Sequence, residues 1–184
     1  MTIDPALQRR ILGRFATGIT LVTTRYGEGD DQIWGMTANS FTSLSLDPAL
    51  VLLTVDRRNS MCEYMAQGQC FAVNVLTTHQ ESISRRFAMR GLKDFSDNEL
   101  VAAETGAPIL VGALAYLDCR LVETLPGGDH DIFIGEIVAG GLHEGQPLLF
   151  YNGCYTRLTL SGTSLTVSGP ENLDEGAYDH YGCF

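Results

Sequence analysis

Four short stretches hold residues whose types and spacing could do chemistry. In residues 35–48, Thr37, Asn39, Ser40, Thr42, Ser43 and Ser45 crowd hydroxyl and amide groups around Ala38 and Phe41. Small polar side chains at this density leave the backbone accessible and offer hydrogen bonds to a carbonyl-rich planar ring or a phosphate. The same composition also fits a Ser/Thr-rich strand end and turn. In Asp56-Arg57-Arg58-Asn59-Ser60, two of only twelve basic residues stand together before a helix. Arginine forks and helix N-termini both suit phosphate, although adjacent arginines also serve as plain surface charge. The third stretch is Ser84-Arg85-Arg86-Phe87-Ala88. Neighbouring helix positions point apart, so at most one of Arg85 and Arg86 faces a ligand. Phe87 fits either a core position or a ring contact. The fourth is the glycine turn and apolar strand of residues 127–136, which carries His130. An imidazole at the mouth of a barrel can orient a cofactor or act as a general acid, and a turn histidine can equally make one backbone bond. Asp129, His130 and Asp131 are consecutive and converge poorly on one ion, so no metal site is expected.

The usual nucleotide and hydrolase signatures are absent. There is no G-x-G-x-x-G, no G-K-[ST], no G-x-S-x-G and no H-E-x-x-H. A nucleotide, if bound, sits on another scaffold.

The elements that must position these residues are mostly strands. Asp4 before Pro5, followed by Leu7, Ile11, Leu12 and Phe15 at helical spacing, predicts an amphipathic helix over residues 5–17. Short segments rich in β-branched residues then predict strands at 19–24, 33–41, 49–56 and 70–76. Helices are expected near 60–66 and 79–89, the second opened by a Thr78-x-x-Glu81 capping box. Residues 92–108 read as a loop. Ala115, Leu117, Cys119 and Leu121 share one face of a strand that turns at Pro126-Gly127-Gly128 into another bearing Ile132, Ile134 and Val138. Asn152-Gly153 joins a hairpin of residues 148–151 and 155–160. Strands at this spacing without alternating long helices suggest a mainly β, closed or split antiparallel barrel. Residues 1–160 are expected to form the folded unit. Residues 161–184, which contain no Lys or Arg, are expected to be a loosely held acidic tail with one edge strand at 164–167.

A formal net charge of −10 over 184 residues argues against nucleic-acid or anionic-membrane partners. No segment holds enough consecutive apolar residues to span a bilayer as a helix and no leader pattern is evident, so a cytoplasmic protein is expected. Cys62, Cys70, Cys119, Cys154 and Cys183 are odd in number and widely spaced, which suits reduced thiols rather than a disulfide framework. Cys183, beside the last residue, is expected to be exposed.

Taken in order, G-M-T-A-N-S-F-T-S-L-S-L-D-P at 35–48, F-A-V-N-V-L at 71–76, S-R-R-F-A at 84–88 and G-D-H-D-I-F-I-G-E at 128–136 resemble the flavin reductase-like family. These are the short reductase components of two-component flavin monooxygenases and related ferric or flavin reductases, and the similarity runs from Phe15 to Leu158. The resemblance implies a six-stranded Greek-key split barrel forming a homodimer, with FMN or FAD near the subunit interface. It implies Thr37, Ala38, Asn39, Ser40 and Phe41 along the flavin with Ser43 and Ser45 nearby, Arg58 and Ser60 at the phosphate, and Arg85, Phe87 and Ala88 closing the site. His130, Tyr151 and Tyr155 would lie where the nicotinamide nucleotide approaches. Asp131 departs from the family pattern, which carries threonine or another small residue there.

The activity implied is hydride transfer from NADH, or from NADPH, to flavin, with reduced flavin or electrons passed to a separate monooxygenase or a ferric chelate. Backbone N–H groups around residues 39–41 would stabilise charge on the reduced ring. A flavin carrier without a nicotinamide site and a cofactor-free β-barrel subunit are the competing readings.

Overall fold

The computed structural model describes residues 3–27, 32–91, 94–161 and 164–168. In chain order the elements are α1 (Pro5–Leu12), β1 (Thr17–Gly18), β2 (Thr20–Arg25), β3 (Ile33–Ala38), β4 (Thr42–Leu46), β5 (Ala49–Asp56), α2 (Met61–Gly68), β6 (Cys70–Val75) and α3 (Glu81–Ala88). They continue with β7 (Leu100–Ala102), β8 (Pro108–Leu110), β9 (Ala115–Gly127), β10 (His130–Leu142), β11 (Leu149–Tyr151), β12 (Cys154–Ser161) and β13 (Ser164–Ser168). The main antiparallel sheet runs β3-β2-β6-β9-β10-β5-β4, flanked by a sheet ordered β1-β11-β12-β13 and the small pair β7-β8.

The expected six strands are therefore seven in the main sheet. Residues 33–41, read as one strand, stop at Ala38; the chain bends through Asn39 to Phe41 and restarts as β4, which pairs with β5. This bend shapes the molecule. β3 and β4 are the two edges of the sheet, yet only three residues separate them in sequence. The sheet must curl until its edges approach, and the gap between them is a split between the two edge strands.

Alternation decides which side chains fill the interior. On β5, Val51, Leu53 and Val55 are buried while Leu50, Leu52, Thr54 and Asp56 face outward. The inner set packs with Val22, Phe71, Val73, Cys119 and Phe133, and α2 adds Met61 and Met65. Burying an aromatic or leucine side chain of this kind contributes about 1.5–3 kcal/mol. β2 is buried on both faces because a second cluster, containing Ile19, Leu21, Leu76, Phe87 and Phe150, covers its other side.

Three local expectations shift. α1 starts as predicted, with Asp4 accepting from the Leu7 N–H at 2.9 Å, but ends at Leu12 rather than near Thr17. Its following backbone is claimed elsewhere, since Asn152 N–H donates to the Gly13 carbonyl and Thr17 and Gly18 pair with Phe150 and Leu149. The capping box forms one residue early, with Thr77 and Gln80, because Thr78 is buried and its N–H donates to the Gln146 carbonyl. The segment read as a loop over 92–108 contains β7, which pairs with β8; residues 92–93 lie outside the described residues.

The edge strand expected at 164–167 forms as β13 against β12. The rest of the expected tail, residues 169–184 with Cys183, lies outside the described residues. Cys62, Cys70, Cys119 and Cys154 are free thiols. No helix among the described residues is long and apolar enough to cross a membrane.

Candidate functional site

A cleft of about 590 Å³ opens at the split, a size typical of small-molecule sites. One wall is the end of β3 and its bend, contributing Met36, Thr37, Ala38, Asn39, Ser40 and Phe41. Thr54 and Asp56 rise from the outward face of β5, and Gly127, Asp129 and His130 come from the β9–β10 turn. The register places His130 directly opposite Asp56. The far wall comes from the N-terminal segment, through Gln8 and Leu12 of α1 and Phe15 and Thr17 after it.

The bend is fixed by its own side chains. Ser40 Oγ donates to the Thr54 carbonyl at 2.8 Å, tying the bend to β5 across the split. Thr37 Oγ1 donates to the Ser84 carbonyl at 2.6 Å, tying β3 to α3. Thr17 Oγ1 is buried and has no hydrogen-bond partner among the described residues. An orphaned hydroxyl in a cleft wall is a polar group awaiting a ligand.

Two acids, Asp56 and Asp129, and the imidazole of His130 line the cleft. Arg58 donates to both Asp56 carboxylate oxygens, at 2.5–3.1 Å, and its guanidinium holds the Asp56 carboxyl down at about 2. Arg57 is paired with Asp131 at 2.7 Å. His130 Nδ1 lies 2.7 Å from Asp129 Oδ1, and this hydrogen bond lowers the Asp129 carboxyl below its usual range. The acids on either side of His130 thus serve different partners, Asp129 the imidazole and Asp131 the Arg57 guanidinium.

Of the residues singled out from sequence, Thr37, Ala38, Asn39, Ser40, Phe41 and His130 line this one cleft. Arg58 reaches it only through Asp56, and Ser60, exposed at the start of α2, does not line it. Ser43 and Ser45 sit further along β4, outside the cleft lining.

Arg85, Tyr155 and Ser84 form a separate group: Ser84 Oγ lies 2.8 Å from the Tyr155 hydroxyl, and the Arg85 guanidinium stacks 4.6 Å from the Tyr155 ring centre while pairing with Glu81 at 2.7 Å. Thr37 links this group to the cleft. Arg86 is spent on the Asp94 carbonyl and Asp97. Phe87, expected to close the site, is 1% exposed in the second core cluster, where its ring lies over Gly35 and 4.5 Å from the Phe95 ring. Ala88 follows it at the half-buried end of α3. Tyr151 accepts a bond from Arg14 at 3.4 Å and does not line the cleft.

Leu12, Phe15, Thr17 and Thr54 also line the cleft without being site candidates from sequence, and Asp56 and Asp129 stand out there only as neighbours of Arg58 and His130. The signal for Leu12 and Phe15 lay in the apolar face of α1, which reads from sequence as core. In the structure no residue of α1 is buried, and Leu7, Ile11 and Leu12 are 45–55% exposed, with Phe15 at 77%.

Residues 12–159 match the family model described as "Flavin reductase like domain". The chain is 39% identical over 160 residues to an NADH-dependent flavin reductase of Rhodococcus sp, covering 87% of this chain and 90% of that one. It is 38% identical over 159 residues to the flavin-dependent monooxygenase reductase subunit HsaB of Mycobacterium tuberculosis, covering 84% and 82%. Among solved structures, the Streptomyces globisporus NADH:FAD oxidoreductase SgcE6 in complex with NAD and FAD fragments superposes with a TM-score of 0.79 at 38% identity, covering 86% of this chain and 97% of that one.

Proposed function

This chain belongs to the flavin reductase-like family, and on that premise we propose that it is an NADH-dependent oxidoreductase that reduces FMN or FAD at the split of its barrel and supplies reduced flavin to a separate monooxygenase. The observation that carries the reading is the meeting of the Thr37–Phe41 bend with His130 across one cleft, although 88 residues or more separate them in sequence.

The cleft fits a flavin by the chemistry of its walls. Leu12, Phe15, Met36 and Phe41 offer apolar surface to a planar ring, and Thr37, Asn39, Ser40 and the orphaned Thr17 hydroxyl offer polar groups to its edge. Flavin, when bound, supplies the ring that takes a hydride from the nicotinamide. The protein's part is to hold the two ligands at reacting distance and to stabilise developing charge. Ala38 keeps the wall low, while the backbone N–H groups of Asn39 to Phe41 are the donors for the reduced ring. His130, opposite them, addresses the nicotinamide nucleotide. Arg58 is the cation for the flavin phosphate, reached by turning away from Asp56.

The same reading makes the protein a homodimer. Leu7, Ile11 and Phe15 leave an apolar strip in water beside the cleft, and Leu46 on β4 is 90% exposed. A second copy covering this strip would also narrow the open side of the flavin site.

The deciding experiment follows NADH oxidation by its near-ultraviolet absorbance, with and without FMN or FAD, and anaerobically with a ferric chelate. Flavin-dependent oxidation is expected. Flavin binding without any NADH oxidation would instead make the protein a carrier, and absence of flavin binding would leave a structural barrel.

A further inference from the structure

The two-residue turn between β9 and β10 carries a hydrogen bond that the reaction above leaves unused. Asp129 Oδ1 lies 2.7 Å from His130 Nδ1. The turn itself does not depend on this carboxylate. Arg57 N–H donates to the Asp129 carbonyl at 3.1 Å, Gly127 pairs with His130 in the ladder, and Gly128 supplies the positive φ of +83° that the turn requires. The Asp129 side chain is 86% exposed and that of His130 only 21%, so the acid grips the ring from the solvent side.

Asp129 bonds this imidazole, Asp56 stands opposite it in the ladder, and Asp131 follows it in the chain. Asp56 is engaged by Arg58 and Asp131 by Arg57, which leaves Asp129 as the acid that, among the described residues, has no arginine within ion-pair distance. A carboxylate only accepts, so the bond requires the proton on Nδ1. In the neutral ring the lone pair then sits on Nε2, for which the described residues provide no partner.

We propose that Asp129 is a positioning residue, holding His130 in its Nδ1–H form so that Nε2 is the nitrogen presented to the nicotinamide nucleotide. The inference rests on the reading of His130 as the nucleotide-side residue. A second-sphere carboxylate that fixes tautomer and ring angle acts on the bound ligand through the histidine alone.

The test compares Asp129→Ala, Asp129→Asn, His130→Ala and the double variant D129A/H130A, measuring kcat and KM for NADH at saturating FMN and the FMN dissociation constant. D129A is expected to raise KM for NADH roughly two- to tenfold, the range of one hydrogen bond, with FMN affinity unchanged. D129N, whose amide oxygen still accepts from Nδ1–H, is expected to restore most of the loss. In the H130A background D129A is expected to have no further effect. Wild-type kinetics in D129A, or a D129A effect that persists without the histidine, would overturn the inference while leaving the His130 reading intact. Unchanged kinetics in H130A itself would remove that reading, and Asp129's role with it.

Discussion

Arg58 turns back on Asp56, with Nη2 2.5 Å from Oδ2 and Nε 3.0 Å from Oδ1, so the cation suited to a ligand phosphate is held by a carboxylate lining the cleft. The pair lies where the chain leaves β5 for α2. A phosphate arriving there competes with Asp56 for one guanidinium.

Arg58→Ala is therefore expected to weaken FMN binding about tenfold, the scale of a charge-assisted hydrogen bond, while leaving riboflavin binding nearly unchanged. Quenching of flavin fluorescence measures both. Equal losses for FMN and riboflavin would show that Arg58 shapes the cleft rather than the phosphate contact.

The same pair predicts an acid-side dependence. The Asp56 carboxyl is lowered from 3.8 to about 2, chiefly by the side-chain hydrogen bond from Arg58. A folded value below the unfolded one means that the contribution to stability is present above pH 4 or so, and fades as pH falls toward 2. Solvent screening at the exposed guanidinium keeps it small. An NMR titration of the Asp56 carboxyl carbon is expected to move upward, toward the ordinary aspartate range, in Arg58→Ala.

Ile11 is 55% exposed on an eight-residue helix with no buried position. Ile11→Glu places a charge in the strip proposed to meet a second copy. Sedimentation is expected to show a dimer for the unaltered protein and a monomer for the variant, with weaker flavin binding in the monomer because α1 walls the cleft. A variant that remains dimeric with full flavin affinity would move the subunit contact elsewhere.

Phe87 separates packing from ligand contact. It is 1% exposed between the core and the Phe95 ring, so Phe87→Ala is expected to cost about 3–5 kcal/mol in denaturant unfolding. Flavin affinity of the folded fraction is expected to change little. A large loss of affinity with little loss of stability would return this ring to the site.

Strand positions were legible wherever one face meets the core, as on β5, whose bounds follow directly from Val51, Leu53 and Val55 alternating with outward residues. The start of α1 was legible because Asp4 and Pro5 act on their own neighbours. Its end was not, because the Gly13 carbonyl is taken by Asn152, which lies far along the chain. β4 escaped notice for a related reason: its Ser/Thr composition fits a turn, and it becomes a strand only because β5 offers an unpaired edge.

For the site, residue types drew attention to Thr37 to Phe41 and His130 but left a plain turn open for each, and their role at the flavin and the nicotinamide is what the family resemblance implies. Which other residues join them depends on convergence. Phe87 went to the core and Arg58 to Asp56, while Leu12, Phe15 and Asp129 entered the cleft. Such placements follow from how the curled sheet brings its two edges, the β9–β10 turn and α1 together, a non-local packing outcome that no residue's own neighbours encode.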